Sequence, residues 1–449
     1  MRNYLYILIL LFSFGHTEAQ EKEQEKTTYS FTLQEAIDFA LENNYSAINA
    51  DRDIMDAQKQ KWETIASGLP QISGAVGYQN QLIQPVTQIP AEFFGGEPGT
   101  FQEVVFGQAQ SARATATLKQ QIFDGSYIVG VQATKSFLSY SANNKEKTAQ
   151  EVRKATVEAY GNVLLAQESV DIFENNKATL EKNLFETTKI FENGLGDEES
   201  VEQLQITLSS VENQLKNAIR LKEITLKMLN LVMGIDLDAP TKLEETLDDL
   251  TQKQIDFGLL ENQLSIENNV DYKLALNLNE QRYFEWKLAK SRALPTLNAF
   301  VNYGANSFSD DFTFLSSDQE WFESSVLGFD LNIPIFSSLK RSASTSRAKI
   351  ALEKAKTQLT EAEAQIRLQL ENAKSNYTLA IEQYQTSKNN LNLAERIENK
   401  NQIKYFEGIA SSFELRQAQT QLYTAQQEYL QAMVSVINKK TELEIILNE

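Results

Sequence analysis

Few side chains in this sequence could do covalent or acid–base chemistry. The 449 residues include no cysteine and a single histidine, His16. The chain therefore lacks a thiolate nucleophile, a Cys-ligated metal site and the usual general base near neutral pH. Carboxylates remain, but they form no recognisable catalytic set with a nucleophile or a base. We expect a protein that is not an enzyme and that has no cofactor and no metal site.

Charge and the N-terminus narrow the class of protein further. A net charge of −19 argues against a nucleic-acid partner, since phosphate binding requires a basic face. Arg2, the apolar run Tyr4–Phe14 and the small residues near Ala19 predict a signal peptide over 1–19. The apolar run is shorter than the roughly 20 residues that a spanning helix needs. The mature chain is therefore expected to be exported.

One long stretch, Lys340–Phe406, must position much of the rest of the chain. It contains no proline or glycine, and its apolar residues recur every seventh position in two lines. These lines are Leu352, Leu359, Ile366, Ala373 and Ala380, and Leu370, Tyr377, Tyr384 and Leu391. The pattern predicts a supercoiled helix roughly 100 Å long that packs against other long helices. Asp124–Glu192 has a similar length and pattern.

Four shorter stretches predict β-strands, over 71–84, 110–123, 295–305 and 324–335. Apolar or small residues alternate with polar ones in each, and 85–108 reads as a loop between the first two. The apolar positions are Ile72, Gly74, Val76 and Tyr78; Ala112, Ala114, Ala116, Leu118 and Ile122; Leu297, Ala299, Val301, Tyr303 and Ala305; and Leu327, Phe329, Leu331 and Ile333.

The chain repeats itself. Leu41–Asn44 returns as Ile266–Asn269, shifted by 225 positions, and the helix after each long helix returns at a shift of 214. We predict two tandem repeats, 20–233 and 257–449, joined by a linker at 234–256. The fold is expected to be mainly α with a small β part, in which long antiparallel coiled-coil helices accompany the four strands.

The strand lengths suit a bilayer, which about 9–11 tilted residues cross. Four strands cannot close a barrel, and open edges in lipid cost several kcal/mol for each unpaired group. Several chains would therefore share one transmembrane β-barrel, and their helices would form a tube beside it. The alternative is a periplasmic or surface coiled-coil scaffold with no pore, which the alternation does not exclude.

An ordered set of segments resembles the TolC-type outer-membrane efflux proteins over the whole mature chain. The set comprises Leu33–Asn44, Gly68–Ile72, Pro334–Phe336 and the two-fold repeat. The resemblance implies a homotrimer with a twelve-stranded barrel among outer-membrane lipids and a helical tunnel extending into the periplasm. It also implies a passive exit duct that docks a periplasmic adaptor (a membrane fusion protein) and an inner-membrane transporter, and that expels small molecules.

The resemblance also implies roles for the two helix–helix turns, 193–200 and 407–412. In the family such turns form the closed periplasmic tip that meets the adaptor. The corresponding residues here are Gly194, Leu195, Gly196, Gly408, Ile409, Ala410 and Ser411. The glycines equally suit an ordinary helix C-cap, so both interpretations stay open.

The family places acidic residues just after the second turn, where they constrict the entrance. Glu414, six residues after Gly408, fits this pattern, whereas Gln417 departs from a doubly acidic one. Ser200 is the equivalent of Glu414 in the first repeat. Three Glu414 carboxylates around one axis would repel one another and attract cations. The alternative is a solvated glutamate at a helix start, which the helix dipole also favours.

Overall fold

The computed structural model describes residues 28–448, so the predicted signal peptide at 1–19 lies outside the described residues. The chain divides into two compact units. We call one the helical unit (residues 28–45, 152–256 and 377–441) and the other the strand unit (46–151, 257–376 and 442–448).

Eight α-helices are described over 28–448. They are α1 (Leu33–Asn43), α2 (Tyr45–Ala66), α3 (Gly125–Glu192), α4 (Glu198–Met233), α5 (Leu247–Lys253), α6 (Val270–Ser291), α7 (Lys340–Phe406) and α8 (Ser412–Leu447). The predicted long helix is confirmed at both ends in α7. No helix within 28–448 is long and apolar enough to cross a membrane.

Helix lengths agree between the two halves of the sequence. Helices α2 and α6 each have 22 residues, α3 and α7 have 68 and 67, and α4 and α8 each have 36. These lengths favour the internal duplication, which stays a prediction.

Eight strands are described in the same part of the chain. They are β1 (Tyr29–Phe31), β2 (Gln71–Asn80), β3 (Val86–Pro90), β4 (Phe101–Val105), β5 (Gln110–Asp124), β6 (Thr241–Leu243), β7 (Thr296–Ser309) and β8 (Phe322–Asn332). The four predicted strands form one antiparallel sheet in the order β2-β5-β7-β8.

The strand boundaries differ from the predicted ones where pairing decides them. Strand β2 ends at Asn80 rather than 84, because its partner β5 begins opposite it at Gln110. Strand β7 continues beyond 305 to Ser309, which also pairs with Gln110. Strand β8 ends at Asn332, opposite the start of β7 at Thr296.

Cross-strand register places the predicted apolar positions on one face of the sheet. Ile72 lies opposite Leu118, which lies opposite Val301, and Val301 lies opposite Leu327. Two predicted positions are wrong: Ile333 lies beyond the end of β8, and a register shift after Gln121 puts Phe123, not Ile122, opposite Leu297. The shift adds one residue to β5 and so reverses the alternation beyond it.

Two segments that the sequence predicts to be irregular contain strands or helix. The loop 85–108 forms a hairpin of β3 and β4, with Val86 paired to Val105. The linker 234–256 contains β6, which pairs in parallel with β1, and also α5. Asp248 and Asp249 lie in the first turn of α5, where the Thr246 hydroxyl caps the helix by accepting the amide of Asp249.

In the strand unit, α3 packs with α2 on one side and α6 on the other. The Tyr127 hydroxyl donates to the carbonyl oxygen of Ile65 at 3.0 Å. Ser136 donates to Glu280 at 3.0 Å. An ion pair of 2.9 Å joins the Lys273 Nζ to the Glu146 carboxylate. Polar contacts between helices therefore supplement a narrow apolar core.

The seven-residue spacing of α7 matches its burial. Seven of its nine seam positions are buried: Leu352, Ile366, Leu370, Ala373, Tyr377, Ala380 and Tyr384. Leu359 and Leu391 are half-buried. The predicted coiled-coil seam is thus confirmed residue by residue.

Candidate functional site

The first tip turn joins α3 to α4 through a glycine-dependent helix end. Gly194 has φ +74°, a left-handed conformation that residues with a Cβ adopt at a cost. Its amide donates to the carbonyl of Phe191 at 2.8 Å, and the Leu195 amide donates to Ile190 at 3.1 Å. These two bonds constitute a Schellman motif, which satisfies carbonyls that the helix end leaves unpaired.

The second tip turn, between α7 and α8, has the same geometry. Gly408 also has φ +74°. Its amide donates to Tyr405 at 3.0 Å, and the Ile409 amide donates to Lys404 at 2.8 Å. The C-cap interpretation is therefore correct for Gly194 and Gly408 but not for Gly196, whose φ is not positive, and it does not exclude a docking role.

Each turn presents an apolar side chain to solvent. Leu195 is 82% exposed and Ile409 is 69% exposed. Both residues follow the left-handed glycine, a position whose apolar side chain frequently packs back onto its own helix. Gly196 is closely packed, since a Cβ there would lie 3.2 Å from Cγ2 of Ile190. Ala410 is half-buried.

At the start of α8, Ser411 and Glu414 form a capping box. The Ser411 amide and hydroxyl both donate to Oε2 of Glu414, at 2.8 and 3.0 Å. In return, the Glu414 amide donates to the Ser411 hydroxyl at 3.3 Å. The backbone and hydroxyl hydrogen bonds from Ser411 lower the pKa of Glu414, and Lys404 lowers it further. Glu414 is exposed, as is Gln417.

At the start of α4 the carboxylate and the hydroxyl occupy the opposite positions, with the carboxylate at the N-cap and the hydroxyl three residues later. The carboxylate belongs to the N-cap residue Asp197, which accepts the amide of Ser200 at 2.7 Å and its hydroxyl at 3.1 Å. Ser200 is buried. Glu414 and Ser200 are thus equivalent in position, yet only Glu414 presents a carboxylate to solvent.

Polar contacts hold the helices together just behind the tip turns. The hydroxyls of Thr187 and Tyr405 lie 3.2 Å apart, and the amide of Gln402 donates to Asn183 at 2.8 Å. The hydroxyl of Ser412 donates to Gln203 at 3.2 Å. The sequence analysis missed these contacts. The available signal was polar residues at seam spacing on α3, namely Asn176, Asn183 and Thr187 around Leu180.

An ionisable side chain lies among the apolar contacts between α7 and α8. Burial raises the pKa of Glu398, and the Gln419 side chain opposes that shift. Burial also raises the pKa of Tyr423, to which Glu398 adds. Tyr423 packs against two apolar clusters, one around Leu204 and the other around Leu422. This acid lies within the helical packing and not on an open surface.

A groove of about 670 Å³ runs between α4 and α8, and Ile206, Leu221, Arg416 and Tyr423 contribute to its lining. Along α4 an apolar stripe stays half exposed at Leu221, Ile224, Met228 and Leu231. Its spacing of three, four and three residues is that of a coiled-coil seam. Within 28–448, no three or more His, Cys, Asp or Glu side chains are arranged to hold a metal ion.

The chain is similar to known proteins in both sequence and fold. The sequence model of the family "Outer membrane efflux protein" matches residues 264–449. No curated protein matches the sequence. The outer membrane protein VceC of Vibrio cholerae is similar in structure, with a TM-score of 0.70, 16% identity, and coverage of 92% of this chain and 95% of that one.

Two further solved structures have the same fold. The CmeC outer membrane channel of Campylobacter jejuni has a TM-score of 0.71 and 18% identity, over 92% of this chain and 85% of its own. The open state of the MtrE outer membrane channel of Neisseria gonorrhoeae has a TM-score of 0.69 and 16% identity, over 92% and 88%. The mainly α fold with a small β part, which the sequence predicts, is thereby confirmed.

Proposed function

We propose that this chain belongs to the outer membrane efflux protein family, whose sequence model matches residues 264–449, and is the passive exit duct of a tripartite export system that expels small molecules. One observation carries the proposal. Apolar side chains align across all four strands on one face of the sheet, and the same chain supplies paired long helices that end in capped turns. The matching sequence model is that of an efflux protein family, and the structural relative CmeC is an outer membrane channel.

The open sheet supports a homotrimer. Strands β2 and β8 each have one partner within the sheet, so both edges carry unpaired backbone groups. In lipid each such group costs several kcal/mol unless another strand covers it. If β8 of one copy pairs with β2 of the next, three copies close a barrel of twelve strands. Closure by subunit pairing would satisfy every edge in the outer membrane.

The helices support a tunnel that extends into the periplasm. The half-exposed stripe of α4, defined by Leu221, Ile224, Met228 and Leu231, has the spacing of a helix-packing seam. A helix of a second copy of the chain could pack on this stripe, so no other protein would be needed to cover it. The negative net charge of the chain suits a water-filled passage that tolerates cations.

The tip turns are the proposed docking surface for the periplasmic adaptor, which links the duct to an inner-membrane transporter. Leu195 and Ile409 are its exposed apolar contacts, and the neighbouring backbone is fixed by hydrogen bonds. The surface includes Gly194, Gly196, Gly408, Ala410 and Ser411. Exposed apolar side chains on a rigid turn lose little entropy on binding, which favours their use in docking.

Glu414 is the proposed gate residue. It is exposed and ionised, and the capping box holds its Oε2 atom in place. In a trimer three such carboxylates would form one acidic ring at the entrance. Gln417 adds hydrogen-bonding capacity without charge. Ser200 is buried against Asp197 and would not add a second acidic ring, because it has no charge to contribute.

Membrane extraction combined with a mass measurement tests this function against a pore-free scaffold. We expect the chain to remain in outer-membrane pellets after carbonate and urea washing, and to purify in detergent with the mass of three copies. Release by either wash, or a monomeric mass in mild detergent, would contradict the proposed duct.

A further inference from the structure

The helices of the strand unit follow the order of the strands that they adjoin. Helix α2 precedes β2, α3 follows β5, α6 precedes β7, and α7 follows β8. Helix α2 contacts α3, and α3 contacts α6. Helix α6 contacts α7 through the Thr345 hydroxyl, which donates to the carbonyl oxygen of Ala289 at 3.4 Å. Helices α2 and α7 therefore end this series, as β2 and β8 end the sheet.

Helix α2 exposes apolar side chains on the side away from α3. Ala57 is buried and shares a pocket with residues of α3, whereas Met55 is 56% exposed. Residues two positions apart on a helix point about 160° away from each other. Trp62 and Leu69 follow Met55 at intervals of seven residues, and both are exposed. We call Met55, Trp62 and Leu69 the α2 row.

Helix α7 exposes apolar side chains in the same way at its start. Leu352 is buried beside α6, whereas Ile350, two positions earlier, is 57% exposed. Leu339 precedes Ile350 by about three helical turns, so the two positions share one side of the helix. Leu339 is exposed, and its φ of +64° is a left-handed conformation that costs a leucine free energy. We call Leu339 and Ile350 the α7 row.

The contact between α3 and α6 shows how two such helices pack where their strands are paired. Strand β5 pairs with β7. A Cβ added at Gly125 would lie 2.7 Å from Cδ1 of Leu294, so these two residues touch at the start of α3. About three turns further along α3, Ser136 donates to Glu280 at 3.0 Å. These two pairs mark the faces by which α3 and α6 contact each other.

Two shifts in the sequence bring α3 onto α7 and α2 onto α6. A shift of 214 positions brings the first tip glycine onto the second, and a shift of 225 positions brings the start of β2 onto the start of β7. Thr64 touches Gly130 between α2 and α3. The shifts bring this pair onto Ala289 and Ser344, which adjoins Thr345 in the contact between α6 and α7. The shifts therefore relate positions with equivalent surroundings.

Both rows occupy the packing positions that these shifts define. The α7 row corresponds, in order, to Gly125 and Ser136 of α3 at the shift of 214. The first and last members of the α2 row correspond to Glu280 and Leu294 of α6 at the shift of 225. The α7 row is therefore the face that would contact a helix placed as α6 is, and the α2 row the face that would contact a helix placed as α3 is.

We propose that the α7 row of one copy packs on the α2 row of a second copy. Leu339 would lie against Leu69 of that copy, and Ile350 against Met55. Trp62 lies between the two pairs and would be covered with them. The inference rests on the proposed function, because pairing of β8 with β2 of the next copy would bring the helices that adjoin these strands side by side.

The segment between β8 and α7 supports a second copy as the occupant. Residues 333–338 correspond, at the shift of 214, to 119–124 of β5, where that strand pairs with β7. In this structure β8 ends at Asn332, and Ile335 and Phe336 are exposed. The segment would gain a partner from the next copy, so the helix contact would continue the strand contact beyond the sheet.

The chemistry of the pairs matches the two rows to each other. Inside the chain, Ser136 and Glu280 form a polar pair. The corresponding residues of the two rows, Ile350 and Met55, are both apolar. An exchange of helices would set the Glu280 carboxylate against Ile350, which has no group to donate to it. Polar groups without partners are costly at a contact, so the sequence favours the row of a second copy over the faces of α3 and α6.

Cross-linking of introduced cysteines tests the proposal, because the chain contains none of its own. The full chain carrying M55C and I350C is purified in detergent and treated with a short reagent that joins two thiols. We expect covalent trimers on electrophoresis, since each copy would be joined to both neighbours, and none from either single variant. The matched control is D53C with I350C, because Asp53 points about 160° away from Met55 on α2.

Two results of this experiment would overturn the proposal. One is the absence of covalent trimers from M55C/I350C in protein that has the mass of three copies. The other is an equal yield of covalent trimers from the control D53C/I350C, since the cross-link would then not depend on the face of α2.

A charge exchange tests the same pair by association. M55E and I350K should each weaken association of the copies at least about tenfold, because each loses apolar contact and places an unpaired charge at the interface. The double variant should recover most of the loss, since a carboxylate would then face an ammonium group. Native mass spectrometry in detergent gives the fraction of trimer, and circular dichroism checks that each variant is helical. A folded double variant that associates no better than the single variants would overturn the pairing.

The same preparations distinguish this inference from the proposed function. Protein that conducts in a bilayer and has the mass of three copies, but does not cross-link through M55C and I350C, would refute the helix pairing and leave the duct intact. Protein that cross-links through these positions but neither resists membrane washing nor conducts would support the pairing and refute the duct.

Discussion

The carboxylate of Glu414 accepts two hydrogen bonds from Ser411, one from its amide at 2.8 Å and one from its hydroxyl at 3.0 Å. Both bonds end on the same oxygen, Oε2. The proposed gate residue is therefore also the residue that caps α8, and its charge is maintained by the helix start. Because Glu414 has both roles, its contribution to the helix start can be measured by hydrogen exchange and its contribution to the gate by conductance.

Ser411→Ala should loosen the first turn of α8. The substitution removes the hydroxyl that accepts the Glu414 amide, and loss of such an N-cap costs about 1 kcal/mol. Hydrogen exchange of the amides at 413–415 should accelerate, whereas exchange in the middle of α8 should not change. Ser411→Thr keeps a capping hydroxyl and serves as the control. Unchanged exchange at the helix start would contradict the capping role.

Lowering the pH should destabilise the same first turn of α8. The folded-state pKa of Glu414 is lowered, so its stabilising contribution is complete above the pKa of the unfolded chain. That contribution disappears as pH falls through the lowered value, which lies below the usual glutamate range near 4.3. Hydrogen exchange at 413–415, corrected for its intrinsic pH dependence, should rise only below about pH 4. The variant Glu414→Gln should show no such step.

Glu398→Gln should stabilise the helical unit at neutral pH. Burial raises the pKa of Glu398, so the ionised side chain disfavours folding above the pKa of the unfolded chain. Solvent screens a side chain that is only half-buried, so we expect a rise in Tm on the order of 1 °C. The gain should vanish below about pH 4, where both states are protonated. Glu395→Gln, exposed on the same helix, should have no effect.

Two glycine substitutions in the helical unit should change the free energy of unfolding in opposite directions. Gly408→Ala forces a Cβ into φ +74° and should cost about 1 kcal/mol. Gly161 lies inside α3 and its nearest foreign atom would be 3.8 Å from a new Cβ, so Gly161→Ala should stabilise by up to about 1 kcal/mol. Urea unfolding of the purified protein would show whether each substitution raises or lowers the free energy of unfolding. The same sign for both variants would contradict the assigned backbone geometry.

Tyr405→Phe should loosen the tip without disturbing its packing. The variant removes only the hydroxyl that lies 3.2 Å from the Thr187 hydroxyl, and so it frees α7 from one polar contact with α3. Single-channel conductance should rise in consequence. Tyr423→Phe is a matched control, because that residue packs in the apolar clusters. Equal conductance changes in both variants would contradict the idea that the contact between Tyr405 and Thr187 restricts the opening of the tip.

The sequence was most informative where local pattern alone decides the structure. The absence of proline and glycine in Lys340–Phe406, together with its seven-residue spacing, predicted both ends of α7 and its buried seam. The alternation of β7 and β8 likewise predicted the apolar face of the sheet. Local propensity and tertiary packing agree in these elements.

Elements that depend on distant partners were less predictable. The hairpin of β3 and β4 was hidden by the prolines and glycines of 85–108, and β6 forms only because β1 lies beside it. Phe123 replaced Ile122 on the apolar face because a bulge depends on the register with β7. At the tip, Ser200 is buried and its amide donates to Asp197, neither of which spacing from Gly194 reveals.

Single-channel conductance of the purified protein in a planar bilayer tests the central claim most directly. The wild type is compared with Glu414→Gln and with Glu407→Gln, which removes an exposed charge from the neighbouring turn. We predict small, cation-selective openings in the wild type, with weaker cation selectivity and larger conductance in Glu414→Gln only. Folded, membrane-inserted protein that never conducts, in the wild type and in both variants, would contradict the duct.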